Sequence, residues 1–295
     1  MEAFWDTVWD VLADAVVDTL YLLPFLFVTY LLMEWLEHKA GDKAQRAVQR
    51  AGAAGPAVGA VLGVVPQCGF SAVASTLYAG RVITLGTLFA VLLSTSDELL
   101  PVFLAEQASL ATIARILVVK VAIGMVMGFL VDALMRLVRH ADPQLHIHDL
   151  CEQDHCRCGE GEGGGGILRS AVVHTLQVTL FIFLITLVLD AAIAVVGQDA
   201  IGSFLGANPV LSVFASALVG LIPNCAASVV IAQLYLDGML GAGAMLAGSL
   251  VNAGVGLLVL VRSNRHAKEN AAIIAGLYAT GVLWGLVANA LGLVF

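Results

Sequence analysis

Of 295 residues, 60% are hydrophobic and only 12% are charged, and the mean hydropathy is +0.94. Soluble domains carry about a quarter charged residues, so a cytosolic enzyme and a disordered chain are excluded. The formal net charge of -8 excludes nucleic acid, whose partners are basic; what remains is a polytopic membrane protein with the lipid bilayer as its surroundings.

The first ten residues, MEAFWDTVWD, contain no Lys or Arg, so the basic start of a cleaved signal is missing and the opening apolar stretch is expected to stay in the bilayer. Crossing the hydrocarbon core takes about 20 apolar residues. Candidate segments are 11–35, 57–79, 82–105, 112–136, 170–192, 209–236, 239–261 and 272–294. They are expected to be helices, because only helices and closed barrels satisfy the backbone in lipid and these runs lack a barrel's alternation.

Basic residues cluster in three connectors: Lys39, Lys43, Arg46, Arg50; Arg136, Arg139, Arg157, Arg169; and Arg262, Arg265, Lys268. Positive charge stays inside, so these connectors are expected in the cytoplasm and both termini outside, in a multi-pass protein of the cell (inner) membrane. Three apolar segments lie between the first two basic connectors, which both belong inside, so one of them cannot be a simple span. The same count in the second half demands another re-entrant or broken element.

A repeat explains both. Residues 60–90 align without gaps on 217–247 with ten of 31 positions identical, including Pro66/Pro223, Cys68/Cys225, Ser71/Ser228 and Tyr78/Tyr235. Upstream, VVDTL at 16–20 matches VVHTL at 172–176, which sets Asp18 opposite His174 and Glu34 opposite Asp190. The expected fold is all-α, with two inverted-topology repeats whose broken or re-entrant helices meet at the bilayer midplane, where such transporters bind substrate. The first repeat takes 1–137, a cytoplasmic loop 138–168, and the second repeat 169–295.

The repeat cores read GVVPQCGFSAVASTLY (63–78) and GLIPNCAASVVIAQLY (220–235). A mid-segment proline removes a backbone donor and breaks the helix. Beside each break stand an amide, Gln67 or Asn224, a thiol, Cys68 or Cys225, and a hydroxyl three residues on, Ser71 or Ser228. The next segments break again at Ser94–Glu98 and Val251–Gly254, with Thr95 in register with Asn252. Asp97 in this stretch is costly in lipid, about 3 kcal/mol by insertion scales. These nine residues are the expected membrane site. The alternative reading is a proline kink whose cysteine packs as a small apolar group.

Asp6, Asp10, Asp14 and Asp18 line one face of the first helix and could concentrate cations outside the membrane, or simply form a solvated helix start. Asp18, Glu34, His174 and Asp190 are candidate proton carriers or gates, while Lys120 could snorkel or pair with an acid. Within the loop, His140, His146, His148, Cys151, His155, Cys156 and Cys158 form a tract of borderline-soft ligands. It matches no folded zinc module, and reads as a flexible metal-collecting tract followed by a glycine linker.

TLYLLPFLFVTYLLMEWLEH, PQCGFSAVASTLYAGR, LSTSDELLP, LIPNCAASVVIAQLYLDG and VNAGVGLLVL resemble the bacterial and archaeal family of heavy-metal exporters, also labelled manganese transporters or arsenic efflux proteins. The resemblance spans nearly the whole chain except the His/Cys loop. It implies a secondary exporter of about ten membrane segments, which the apolar stretches supply if broken ones count twice.

No P-loop or other nucleotide motif is present, so coupling to a proton or ion gradient is expected; the expected function is that of a transporter and not an enzyme, exporting a divalent or heavy-metal cation, manganese- or zinc-like, by alternating access. The metal is the cargo and no cofactor is held permanently; proton coupling is the default. Two alternatives stay open: a thiol–disulfide electron carrier using Cys68 and Cys225, and an exporter of an organic anion or organoarsenical. The GxxxG-like pairs Gly59–Gly63 and Gly124–Gly128 could pack helices within the chain or in a homo-oligomer.

Overall fold

A computed structural model describes residues 54–65, 68–96, 99–138 and 208–295, and single helical positions within 9–31 and 168–188. Ten helices are bounded within the described residues: α1 Gly55–Gly63, α2 Cys68–Ala79, α3 Leu85–Ser94, α4 Leu99–Ala105, α5 Leu110–Val138, α6 Pro209–Gly220, α7 Cys225–Leu236, α8 Ala242–Val251, α9 Gly256–Ser263 and α10 Ala267–Ala290. No strand occurs among the described residues. Four stretches are long and apolar enough to cross a membrane: Leu85–Ala105, Leu110–Leu137, Ala242–Ser263 and Ala267–Ala290. The protein is an all-helical polytopic membrane protein.

The expected breaks are present. The apolar stretch 57–79 is two helices, α1 and α2, and 209–236 is likewise α6 and α7. Before each proline the last turn tightens to the three-residue spacing of a 3₁₀ turn. Val64 and Val65 donate to the carbonyls of Val61 and Leu62 at 3.4 and 3.2 Å, and Leu221 and Ile222 donate to Leu218 and Val219 at 3.2 and 3.0 Å. Frayed carbonyls at a helix end commonly find partners this way. The crossing stretches are also split, α3 from α4 and α8 from α9. Helix starts recur at a constant interval. Cys68, Leu85, Leu99 and Leu110 open helices, and so do Cys225, Ala242, Gly256 and Ala267, each 157 residues further on.

Contacts sort the helix termini into two groups. At one end, the Asp132 carboxylate near the end of α5 accepts from the Thr84 hydroxyl and the Gly86 amide, both at 2.8 Å, and so anchors the start of α3. Gly55, at the start of α1, abuts Thr87 in the first turn of α3. The α2–α3 turn and the start of α10 join the same end through Arg81 and Glu269. At the opposite end, the Asn289 amide near the end of α10 donates to the Pro209 carbonyl at the start of α6, at 3.2 Å. Gly243 in the first turn of α8 lies against Asn289 as well. The α1–α2 pair therefore enters and leaves at the first end, and α6–α7 at the second.

Small residues let α1, α3 and α5 touch backbone to backbone. A methyl on Gly63 would lie 2.6 Å from the Val91 carbonyl oxygen, and one on Gly124 would lie 2.8 Å from that of Ala90. Both glycine pairs singled out in the sequence thus pack within the chain. In the second half, Gly220 meets the Gly248 carbonyl and Gly285 that of Gly243. Helices then exchange partners between halves, α2 packing on α9 and α7 on α4. The crossing α8–α9 is 89% buried whereas α5 is 33% buried, so the split helices form the core and the unbroken ones border lipid.

Candidate substrate site at the helix breaks

Hydrogen bonds join the interruptions of α1–α2, α3–α4 and α8–α9, and the end of α6 lies against α8 at Gly248, close to the α8–α9 break. Ser94 and Thr95 end α3 by turning their hydroxyls back on the chain, Ser94 Oγ donating to the Ala90 carbonyl and Thr95 Oγ1 to that of Val91, both at 2.8 Å. Such back-bonding competes with the helical ladder, and Thr95 leaves the helix at φ −53°, ψ 124°. Ser96 Oγ donates to the Val64 carbonyl at 2.6 Å, joining the α3–α4 break to the end of α1. In the second half Asn252 closes α8, and its Oδ1 accepts from the Gly254 amide at 3.0 Å. That turn needs the left-handed φ of 51° at Gly254, which glycine adopts without steric cost.

Five residues expected at the site from sequence are buried here: Ser71, Thr95, Asn224, Ser228 and Asn252, each no more than 2% exposed. Ser71 lies across the boundary between halves, since a methyl on Gly256 would fall 2.7 Å from its Cβ. The Asn252 Nδ2 is buried with no hydrogen-bond partner among the described residues. Unsatisfied buried donors are uncommon and costly, and this one stands at the helix break.

Lys120 was not assigned a role by the sequence. It does not snorkel: at 1% exposure, its ammonium donates to the Thr95 carbonyl at 2.5 Å and to the Ser249 carbonyl at 2.7 Å, one from each half. Both carbonyls belong to the C-terminal ends of helices, where the peptide dipoles leave partial negative charge. The lysine thus ties α3 to α8 at the breaks. Its equivalent 157 residues on is Leu277, also fully buried, so the two halves are not equivalent here.

A second charged cluster marks the first end. Arg81 donates from Nη1 and Nη2 to the two carboxylate oxygens of Glu269, each at 2.7 Å, and the Tyr78 hydroxyl also donates to Glu269. The Arg81 guanidinium lies 5.1 Å from the centre of the Tyr78 ring. Hydrogen bonding to Glu269 raises the Arg81 pKa further, so this cation persists at any working pH. His266 approaches the same carboxylate at 3.9 Å. Arg81 holds a left-handed φ of 58°, and its repeat equivalent Gly238 one of 72°. Sequence reasoning missed this cluster; an arginine aligned with a turn glycine was the available signal.

The other expected site residues are not brought together by anything described. Gln67 and Asp97 lie outside the described residues, as do the side chains of Cys68 and Cys225, although those two cysteines open α2 and α7. Asp18, Glu34, His174 and Asp190 lie outside as well, as do His140, His146, His148, Cys151, His155, Cys156 and Cys158 of the loop. Thr19 and Thr175, next to Asp18 and His174, are buried. Among the described residues no group of three or more His, Cys, Asp or Glu could hold a metal ion. The described centre instead offers hydroxyl, amide and carbonyl oxygens, which are hard ligands.

A family model described as "Putative, 10TM heavy-metal exporter" matches residues 5–161, more than half of the chain. The chain belongs to this heavy-metal exporter family. The matched stretch takes in the first membrane half and most of the His/Cys tract. Family membership supplies the membrane setting and, coarsely, transport of metal. No curated protein and no solved structure matches the chain.

Proposed function

We propose that the protein is a secondary transporter that exports a divalent or heavy-metal cation, manganese- or zinc-like, by alternating access. The observation that carries this reading is the junction of helix breaks from both halves through Ser96, Lys120 and Gly220, together with the burial of Ser71, Thr95, Asn224, Ser228 and Asn252 next to the breaks. Irregular backbone at membrane depth is tolerated where it is enclosed by protein or lines a cavity. The hydroxyl and amide oxygens of these residues would favour a hard ion such as manganese, and thiolates from Cys68 and Cys225 would widen the range toward zinc.

We read the halves as an inverted pair. In support, α1–α2 enters from the end where α10 begins, and α6–α7 from the end where α10 finishes. Arg136 lies in the last turn of α5 and Arg262 in that of α9, both near the Arg81 end, which favours placing that end in the cytoplasm. The His/Cys tract would then collect metal inside and deliver it to the centre, with Asp18, Glu34, His174 and Asp190 as proton carriers.

The test is transport by purified protein in liposomes. Manganese, zinc, cadmium and arsenite are each offered across an imposed pH gradient. Gradient-driven movement of manganese or zinc is expected, and indifference to all four would remove the proposal.

A further inference from the structure

We propose that the groove between α3, α5 and α10 at the Arg81 end binds an anionic phospholipid, one acyl chain lying along its apolar wall and the phosphate at Lys268 and His266. The groove has a volume of about 760 Å³. Its walls are single helix faces, with residues recurring at three- and four-residue intervals. Met127, Leu130, Val131 and Leu134 come from α5, and Ala272, Ile273, Gly276 and Thr280 from α10, together with Leu85 and Phe89 of α3. The hollow exists because α10 presents small residues there: a methyl on Gly276 would already fall 2.9 Å from Phe89 Cζ. Leu130 and Leu134 are each 56% exposed, so the groove opens toward lipid.

Length and charge decide the occupant. His266 and Lys268 stand where α10 begins, and Thr280 lies further along the same helix. The twelve residues from Lys268 to Thr280 rise about 18 Å at 1.5 Å each, and one leaflet of the hydrocarbon core is about 15 Å deep. A groove that starts among charges and stays apolar for the depth of one leaflet fits an acyl chain beneath its own headgroup. The mouth is positive. Lys268 makes no ion pair among the described residues, and neither does Arg136, which follows the groove-lining Met135 in the last turn of α5. Glu269 also lines the mouth, but Arg81 donates to both its oxygens at 2.7 Å and Tyr78 donates as well, so its charge is already neutralised. Asp132 of α5 is committed to Thr84 and Gly86. Basic pockets between membrane helices hold anionic headgroups in this way. The inference does not depend on which species is exported, because the groove lies outside the polar centre.

The experiment uses the full chain purified in detergent and delipidated, as wild type, Lys268→Gln and Ala272→Trp. Thermal unfolding is followed while phosphatidylglycerol, or phosphatidylcholine with the same acyl chains, is added to the micelles. Wild type is expected to gain several degrees, saturably, with phosphatidylglycerol and clearly less with phosphatidylcholine. Glycerol phosphate without chains should give no gain. Lys268→Gln should need about fivefold more phosphatidylglycerol for half the gain, the contribution of one basic side chain at an anionic surface. Ala272→Trp fills the groove from an exposed position; it should unfold like wild type without lipid and lose both gains. Equal gains with the two lipids in wild type overturn the proposal, as does a gain from glycerol phosphate that matches phosphatidylglycerol, or a full phosphatidylglycerol gain in Ala272→Trp. A lipid-free Ala272→Trp that is strongly destabilised, or that dissociates from a dimer, overturns it too, because the groove then holds a segment of the chain or a second copy. If Ala272→Trp is not recovered folded, Lys268→Gln decides: an unchanged dependence on phosphatidylglycerol overturns the proposal.

Discussion

Replacing Arg81 separates two opposing contributions at the first end of the bundle. The wild-type side chain makes two charge-assisted hydrogen bonds to Glu269, with the partners 25% and 18% exposed. A bidentate pair at that degree of burial is worth about 2–3 kcal/mol, below the sum for two fully buried charged bonds. Against it stands the left-handed backbone at Arg81, which costs a non-glycine residue about 1 kcal/mol. Arg81→Gly loses the pair and relieves the backbone, for a net loss of about 1–2 kcal/mol. Arg81→Ala loses the pair and keeps the strain, for about 2–3 kcal/mol. The assay is equilibrium unfolding of the purified protein in mixed micelles, with Glu269→Gln completing a double-mutant cycle. An Arg81→Gly variant as stable as wild type, or Ala and Gly variants of equal stability, would refute the reasoning.

Other expectations follow from close contacts and from the proposed chemistry. Gly63→Ala places a methyl 2.1 Å from Ser94 Oγ and against the Val91 carbonyl, and is expected to cost about 1–3 kcal/mol in unfolding assays; Gly241→Ala, with nothing within 4 Å, is the neutral control. Asn252→Ala removes the acceptor for the Gly254 amide and the unpartnered donor. Metal affinity in liposome flux should fall roughly tenfold, equivalent to about 1.4 kcal/mol. Cys68→Ser with Cys225→Ser should shift the ratio of zinc to manganese transport while leaving manganese flux; abolition of all activity would instead favour an electron carrier. Deleting 140–166 should raise the concentration of internal metal needed for half-maximal flux without lowering the maximal rate.

Much of the architecture was legible because proline is a strong local signal. Pro66 and Pro223 removed one backbone donor in each half, and their alignment fixed the interval of 157 residues at which helix starts recur. The hydroxyls and amides beside them marked the buried centre for the same reason, since polar groups in an apolar run need partners. The role of Lys120 was not legible. Its described partners include the main-chain carbonyls of Thr95 and Ser249, and a carbonyl has the same identity at every position. Arg81 and Glu269 are 188 positions apart, a pairing that only the exchange of helices between halves creates. Distance along the chain hid it, although the mismatch of Arg81 with Gly238 was visible.

The glycine contacts restrict which parts of the molecule can slide. Where Gly63, Gly124 and Gly220 press main chain on main chain, there is no layer of side chains to reshuffle, so α1, α3 and α5 are held as one slab, and α6 and α8 as another. Between the slabs lie side-chain contacts, α2 on α9, α4 on α7 and α3 on α8. Bulk added along the glycine seams should loosen the slabs, whereas bulk added at the swapped contacts should, on the proposed alternating-access reading, slow transport in a protein that still folds.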